Sequence, residues 1–223
     1  HLLYSAGHTS MGEDLVRHDL AERAVDLART LVRLMPGEPE PQGLLALLLL
    51  GQARAATRVD TDGELVLLAD QDRRRWDRRL IDEGVARATD ALGRGTGRFT
   101  LQAAIAGLHS VAETWESTDW RQLLRMYDAL MVRWPSPVVA LNRAAAHSLV
   151  PGADLEAVLG ELDALSGEPA LARYAYLPAT RADVLRRLGR TEEARAAYGE
   201  AIERTSNDRE RRFLRQRRGE RGG

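Results

Sequence analysis

Two prolines set the frame of this chain. Pro135 and Pro169 stand 34 residues apart, with small residues at intervals between them. Before the first, Leu123, Tyr127 and Leu130 are spaced to share one face of a helix. Pro135 ends that helix, because proline lacks an N–H and its ring clashes with the preceding turn. Ala145, Gly152, Ala157 and Ala164 follow. The spacing predicts two helices that approach through Ala145 and Ala157, with Gly152 in the turn between them. Such a pair cannot bury its apolar face alone, so it requires stacked neighbours.

A helix pair of this period, closed by proline, is the pattern of the tetratricopeptide repeat. Val138 stands where that pattern usually has an aromatic residue, and the aromatic expected near Glu161 is missing. The frame recurs. Ala182, Gly189, Ala194, Tyr198 and Ala201 keep the register after an insertion of 3 residues, since Gly152 and Gly189 are 37 apart. Ala24, Ala28, Leu31 and Pro36 repeat the spacing of Leu123, Tyr127, Leu130 and Pro135. The expected fold is therefore all-α, a tetratricopeptide-like stack of helix pairs (an α-solenoid) over residues 1–208. The buried alanines should be Ala145, Ala157, Ala182 and Ala194.

The 223 residues are 44% hydrophobic and 29% charged, which suits a folded, soluble chain. The formal net charge is -1, so the chain as a whole is no polycation. All its positive charge is arginine, as expected of a GC-rich genome. Cysteine is absent, which removes disulfides, thiolate catalysis and cysteine-bound zinc and fits a cytoplasmic location. The longest apolar run, Leu44 to Leu50, is too short to span a bilayer. No signal peptide is visible. The chain opens at His1 in mid-pattern, as a piece of a longer protein would.

Along the chain, Asp14 can cap a helix carrying Leu20, Ala24, Leu27, Leu31 and Leu34 on one stripe. Leu44 to Leu50 predicts a helix enclosed on several sides. The helical period breaks from Thr57 to Leu68, where Asp62-Gly63 signals a short β-hairpin near residues 58–66. A calcium loop does not fit there, because Arg58 and Ala69 occupy two ligand positions. Asp70 or Asp72 should open a helix that buries Trp76, Leu80 and Ile81. Five arginines, Arg73 to Arg75 with Arg78 and Arg79, invite a nucleic-acid reading. The acids interleaved with them favour a solvated, ion-paired face. Thr118 can cap the helix of Leu123. Residues 209–223 read as an arginine-rich, partly disordered tail, with Phe213 and Leu214 docking one helical turn and the rest frayed.

Catalytic signals are weak. The five histidines include no metal-binding pair at helical spacing, and no nucleophile motif occurs. His109 lies among small apolar residues and reads as a packed histidine. The expectation is a protein without enzymatic activity, cofactor or metal. The alternative is a helical-repeat domain with a small-ligand or catalytic pocket. It gains if the fold brings His109 against a carboxylate.

Several phrases resemble the carboxy-terminal extension of a subgroup of extracytoplasmic-function sigma factors. They are His1-Leu-Leu-Tyr-Ser-Ala-Gly7, Asp14-Leu-Val-Arg17, Gly43-Leu-Leu-Ala-Leu47, Asp70-Gln-Asp-Arg73 with Trp76-Asp77, Leu101-Gln-Ala-Ala-Ile105 with His109, Thr118-Asp-Trp120, and Pro135-Ser-Pro-Val-Val139 with Leu141-Asn-Arg143. The resemblance covers nearly the whole chain in one order. It implies a transcription-initiation factor whose sigma domains, which grip RNA polymerase core and read promoter DNA, precede His1. It implies that this extension regulates transcription by binding protein. The balanced charge, the interrupted arginine run and the absence of a helix-turn-helix signature argue against direct nucleic-acid binding, and the short apolar run argues against a membrane. The partner would be a small DGPF-motif (YCII-like) protein, or the sigma domains in cis. The candidate partner contacts are Tyr4, Arg17, Asp72, Trp76, Gln102, His109, Asn142 and Arg143, of which Asn142 and Arg143 match the family pattern. Two phrases depart from the family. Tyr4-Ser5-Ala6-Gly7 replaces Phe-Asn-Glu-Gly, and Gly97-Arg98-Phe99-Thr100 replaces Gly-Pro-Tyr-Gln.

Overall fold

Helices follow the apolar spacing, and several end beside a proline or glycine, as at Pro36, Gly95, Pro135 and Gly189. A computed structural model describes residues 14–61, 66–206 and 208–219. The chain is all-α, and its helices form two compact units. The first comprises residues up to 63 together with 68–119 and 132–134; the second comprises 64–67, 120–131 and 135–223.

In the first unit, α1 (Asp14–Leu34), α2 (Pro39–Gln52), α3 (Arg78–Arg94) and α4 (Arg98–Val111) surround one centre. That centre is α2, which packs on the other three helices. Its leucine run is enclosed as the sequence predicts, with Leu45, Leu49 and Leu50 wholly buried. Gly43 permits the closest approach, because a Cβ there would lie 2.5 Å from the Thr100 backbone nitrogen. Beside it, the Glu40 carboxylate accepts hydrogen bonds from the Phe99 and Thr100 N–H groups, each at 3.0 Å. A side chain of α2 thereby caps the N-terminus of α4, satisfying donors that a helix start leaves open. Glu83 ties α3 to α1, accepting from Arg29 of α1 and from Arg87 of its own helix at 3.0 and 2.9 Å. The Arg29 bond, with help from Arg87 and against burial, holds the Glu83 carboxyl below its ordinary value.

Three details differ from expectation. Helix α1 buries Ala21, Ala24, Val25 and Ala28, while Leu27, Leu31 and Leu34 are exposed. The alanine face lets α1 lie close to α2, and the leucines of α2 supply the bulk. The third helix opens at Arg78 with Asp77 as its cap, while Asp72 caps a separate 3-10 turn, Arg73–Arg75. Thr118 turns its hydroxyl back to the Thr114 carbonyl at 3.5 Å. The break in helix after Thr57 falls where the period fails, and Val59 forms a single bridge position. The turn Asp62-Gly63 lies outside the described residues.

In the second unit, α5 (Trp120–Arg133, of which Trp120–Met131 belongs here) precedes α6 (Pro137–Leu149) and α7 (Leu155–Ala164). Then come α8 (Tyr176–Arg187), α9 (Thr191–Arg204) and α10 (Asp208–Arg218). The predicted face of α5 buries Leu123 and Leu130. The pairs α6/α7 and α8/α9 turn at Gly152 and Gly189, whose φ values of 80° and 77° are left-handed and suit glycine. Ala145, Ala182 and Ala194 are buried as predicted. Ala157 is exposed, and Val158, Leu159 and Leu162 form the buried face of α7. The cause is turn length. Helix α9 starts two residues after Gly189, whereas α7 starts three after Gly152, where Asp154 caps it. That extra residue moves the inward position from Ala157 to Val158. The tail also differs, since Asp208–Arg218 is helical over eleven residues, with Leu214 buried and Phe213 packed against the same core.

Candidate functional site

The predicted contacts fall in two places. In the first unit, Trp76 and His109 are joined at the end of α4 through Arg73. The Trp76 ring is 3% exposed, and its Nε1–H donates to Thr57 Oγ1 at 2.9 Å. The Thr57 hydroxyl in turn donates to the Arg54 carbonyl at 3.0 Å. The Arg73 guanidinium lies 4.7 Å from the centre of the Trp76 ring. Its Nη1 donates to the carbonyls of His109 and Ala112 at 2.5 and 2.8 Å. An arginine from the triple run therefore serves as the C-terminal cap of α4, where the helix dipole favours a cation. Burial pulls Arg73 below the ordinary arginine value, with Glu116 opposing.

His109 stacks on Trp115, their ring centres 5.9 Å apart and their planes within 6° of parallel. Burial, reinforced by the nearby charges of Arg54 and Arg73, lowers its pKa to about 4. The ring is therefore neutral at physiological pH. The charges acting on His109 come from guanidinium groups, so a histidine–carboxylate pairing is not what drives its titration.

Trp76 is thus buried, and His109 is half-buried against Trp115. Asp72 remains near the surface. It accepts from the Arg74 backbone at 3.1 Å and pairs with the Arg74 side chain at 3.0 Å, a bond that lowers its pKa. Gln102 is half-buried on α4, and its Oε1 has no hydrogen-bond partner among the described residues. Tyr4 lies outside the described residues, and Arg17 is placed only as a backbone position of α1.

The second place is the surface of α6. Arg143 spans three helices: Nε donates to Asp128 of α5 at 2.6 Å and Nη1 to Glu161 of α7 at 2.8 Å. Burial opposes the charge, but the two carboxylates raise the Arg143 pKa. One turn along α6, His147 Nδ1 meets the other Glu161 oxygen at 3.0 Å. Asn142 is half-buried beside Arg143. Arg187 of α8 donates to the Ser148 carbonyl at 2.6 Å, a second arginine closing a helix end. This cluster can offer charged and hydrogen-bonding groups to a partner, but Arg143 is already bridged to two acids. Among the described residues, no group of His, Asp and Glu is placed to hold a metal ion. No described helix is long and apolar enough to cross a membrane.

Sequence reasoning missed Arg73, Glu40, Glu161 and His147. Only the Arg73–Trp76 spacing, three residues on one turn, hinted at a contact.

Comparison with known proteins gives two matches. Residues 1–92 match the model of a family described as a family of unknown function (DUF6596). The chain is also similar to an uncharacterized protein of Rhizobium meliloti (strain 1021), 44% identical over 217 residues. That match takes in 96% of this chain and 50% of the relative. The chain thus spans about half the length of the curated relative it matches. No solved structure matches it.

Proposed function

We propose that this chain is the regulatory, protein-binding portion of an extracytoplasmic-function sigma factor of RNA polymerase, with no catalytic role. The observation that carries the reading is the ordered run of family-like phrases from His1 to Arg143, which is too long and too consistent in order for isolated short motifs. The relative's length is compatible with it, since half of that protein lies outside the match, as sigma domains would. The domain works in the cytoplasm, where polymerase is. Its partner is a small DGPF-motif protein or the sigma domains in cis. Asn142 and Arg143 on α6 are the proposed contacts, with Asp128 and Glu161 holding Arg143 in place.

The test is copurification. The full-length gene product, tagged and expressed in its bacterium, is expected to bring down RNA polymerase core at moderate salt. A clean purification without polymerase subunits, from cells in which the protein is abundant, would refute the sigma-factor reading.

A further inference from the structure

Helix α1 keeps an apolar face that the first unit leaves open. It packs on α2 through its alanines, while Leu27, Leu31, Leu34 and Met35 are exposed, Leu27 by 55% and Leu34 by 73%. Their spacing puts the three leucines on one stripe. A lone exposed leucine is ordinary, but a contiguous stripe marks an interaction surface. Charges border it in a particular order. Asp26 and Arg33 each directly precede a leucine of the stripe and stand seven residues apart, so they lie on the same flank. Both are exposed. Arg33 donates to the Thr30 hydroxyl at 2.8 Å, and neither it nor the Asp26 carboxylate has an ion-pair partner among the described residues.

A stripe with an acid toward one end and a base toward the other, on one flank, is complementary to itself when turned end for end. A second α1 laid antiparallel about a two-fold axis near residues 29 and 30 sets leucines against leucines. It also brings Asp26 of each copy to Arg33 of the other, two equivalent pairs for one axis. A membrane surface suits the face less well, because the exposed acids Glu22 and Asp26 would meet anionic headgroups.

We infer that α1 is a self-association face: two copies of this chain pair antiparallel through Leu27, Leu31 and Leu34, with Asp26 of one against Arg33 of the other. The leucines supply the attraction, because their apolar area leaves water. The charges fix the direction and the register. Arg29 takes no part, since it is held by Glu83 on the side of α1 that faces α3. The stripe covers about two helical turns and is smaller than a standard interface, so the pairing is reversible, with a Kd on the order of 10–100 µM. It requires neither polymerase nor nucleic acid.

Sedimentation velocity of the chain at about 1 to 300 µM, repeated with the full-length gene product, tests this pairing. The expected result is a shift from monomer to dimer across that range in both. The variant L27E/L34E should stay monomeric throughout, with unchanged helix by circular dichroism, since both leucines are exposed. The single reversals D26R and R33D should each weaken pairing roughly 10-fold, because each sets like charges together at two places. The double reversal D26R/R33D should recover the original affinity to within about 3-fold, which a purely apolar contact would not require. A monomer at the highest concentration, an undiminished dimer in L27E/L34E, or a double reversal as weak as the single ones would each overturn it. Pairing of the chain that vanishes in the full-length product would show that another part of the same protein covers the face, and would overturn it as well.

Discussion

Replacing Trp76 with alanine will cost about 3–5 kcal/mol, the usual range for removing a buried tryptophan. The ring is almost fully enclosed and packs with Leu50, Ala53 and Ile81. The loss extends beyond the cavity. The ring is the surface on which Arg73 rests, and Arg73 closes the end of α4. Removing the indole also leaves the buried Thr57 hydroxyl without its donor. Phenylalanine at the same position would keep most of the volume and lose the N–H, so it should cost only about 1–2 kcal/mol. Urea denaturation followed by circular dichroism measures both. A loss below about 1 kcal/mol for W76A, or equal losses for the two variants, would show that the ring does not organise this region.

A second large effect concerns acid. In the unfolded chain His109 titrates near 6.5, while burial and the charges of Arg54 and Arg73 hold it at about 4 in the fold. Above pH 6.5 both states carry a neutral ring, and the contribution of His109 to stability is fully present. Between about 6.5 and 4 the unfolded chain binds a proton that the fold refuses. Stability therefore declines across that window, by up to about 3 kcal/mol at its lower end. Carboxylates titrate at the bottom of the same range, so the comparison must be with H109Q, which lacks the titration. The difference between wild type and H109Q should shrink as pH falls from 7 to 4.5. A constant difference would mean that His109 titrates alike in both states.

Much of this architecture was legible because it depends on local period and backbone conformation. Gly152 and Gly189 were placed in turns from spacing alone, and both adopt the left-handed conformation that favours glycine. The run Leu44 to Leu50 had no polar side to present to water, so enclosure was its only stable outcome. Failures came where tertiary contact chose between neighbouring faces. In α1 the choice lay between a leucine stripe and an alanine face, and close approach to α2 selected the alanines. In α7 one extra turn residue moved the buried position by one, an effect no period reveals. The sites were less legible still. Arg73 looked like a solvated arginine, yet its acceptors lie 36 and 39 residues away in sequence. Asp128 and Glu161, 15 and 18 residues from Arg143, become its partners only when three helices are stacked. The contacts of Trp76 with Thr57 and of His109 with Trp115 join separate segments, which a pattern of residue types does not reveal.

The most direct test of the proposed role is promoter-directed transcription in vitro. Full-length factor is compared with a form lacking this domain, each with RNA polymerase core and with cell extract to supply a partner. The account predicts a changed transcript yield on removal of the domain, while the truncated form still binds core. Equal yield from both forms would contradict it.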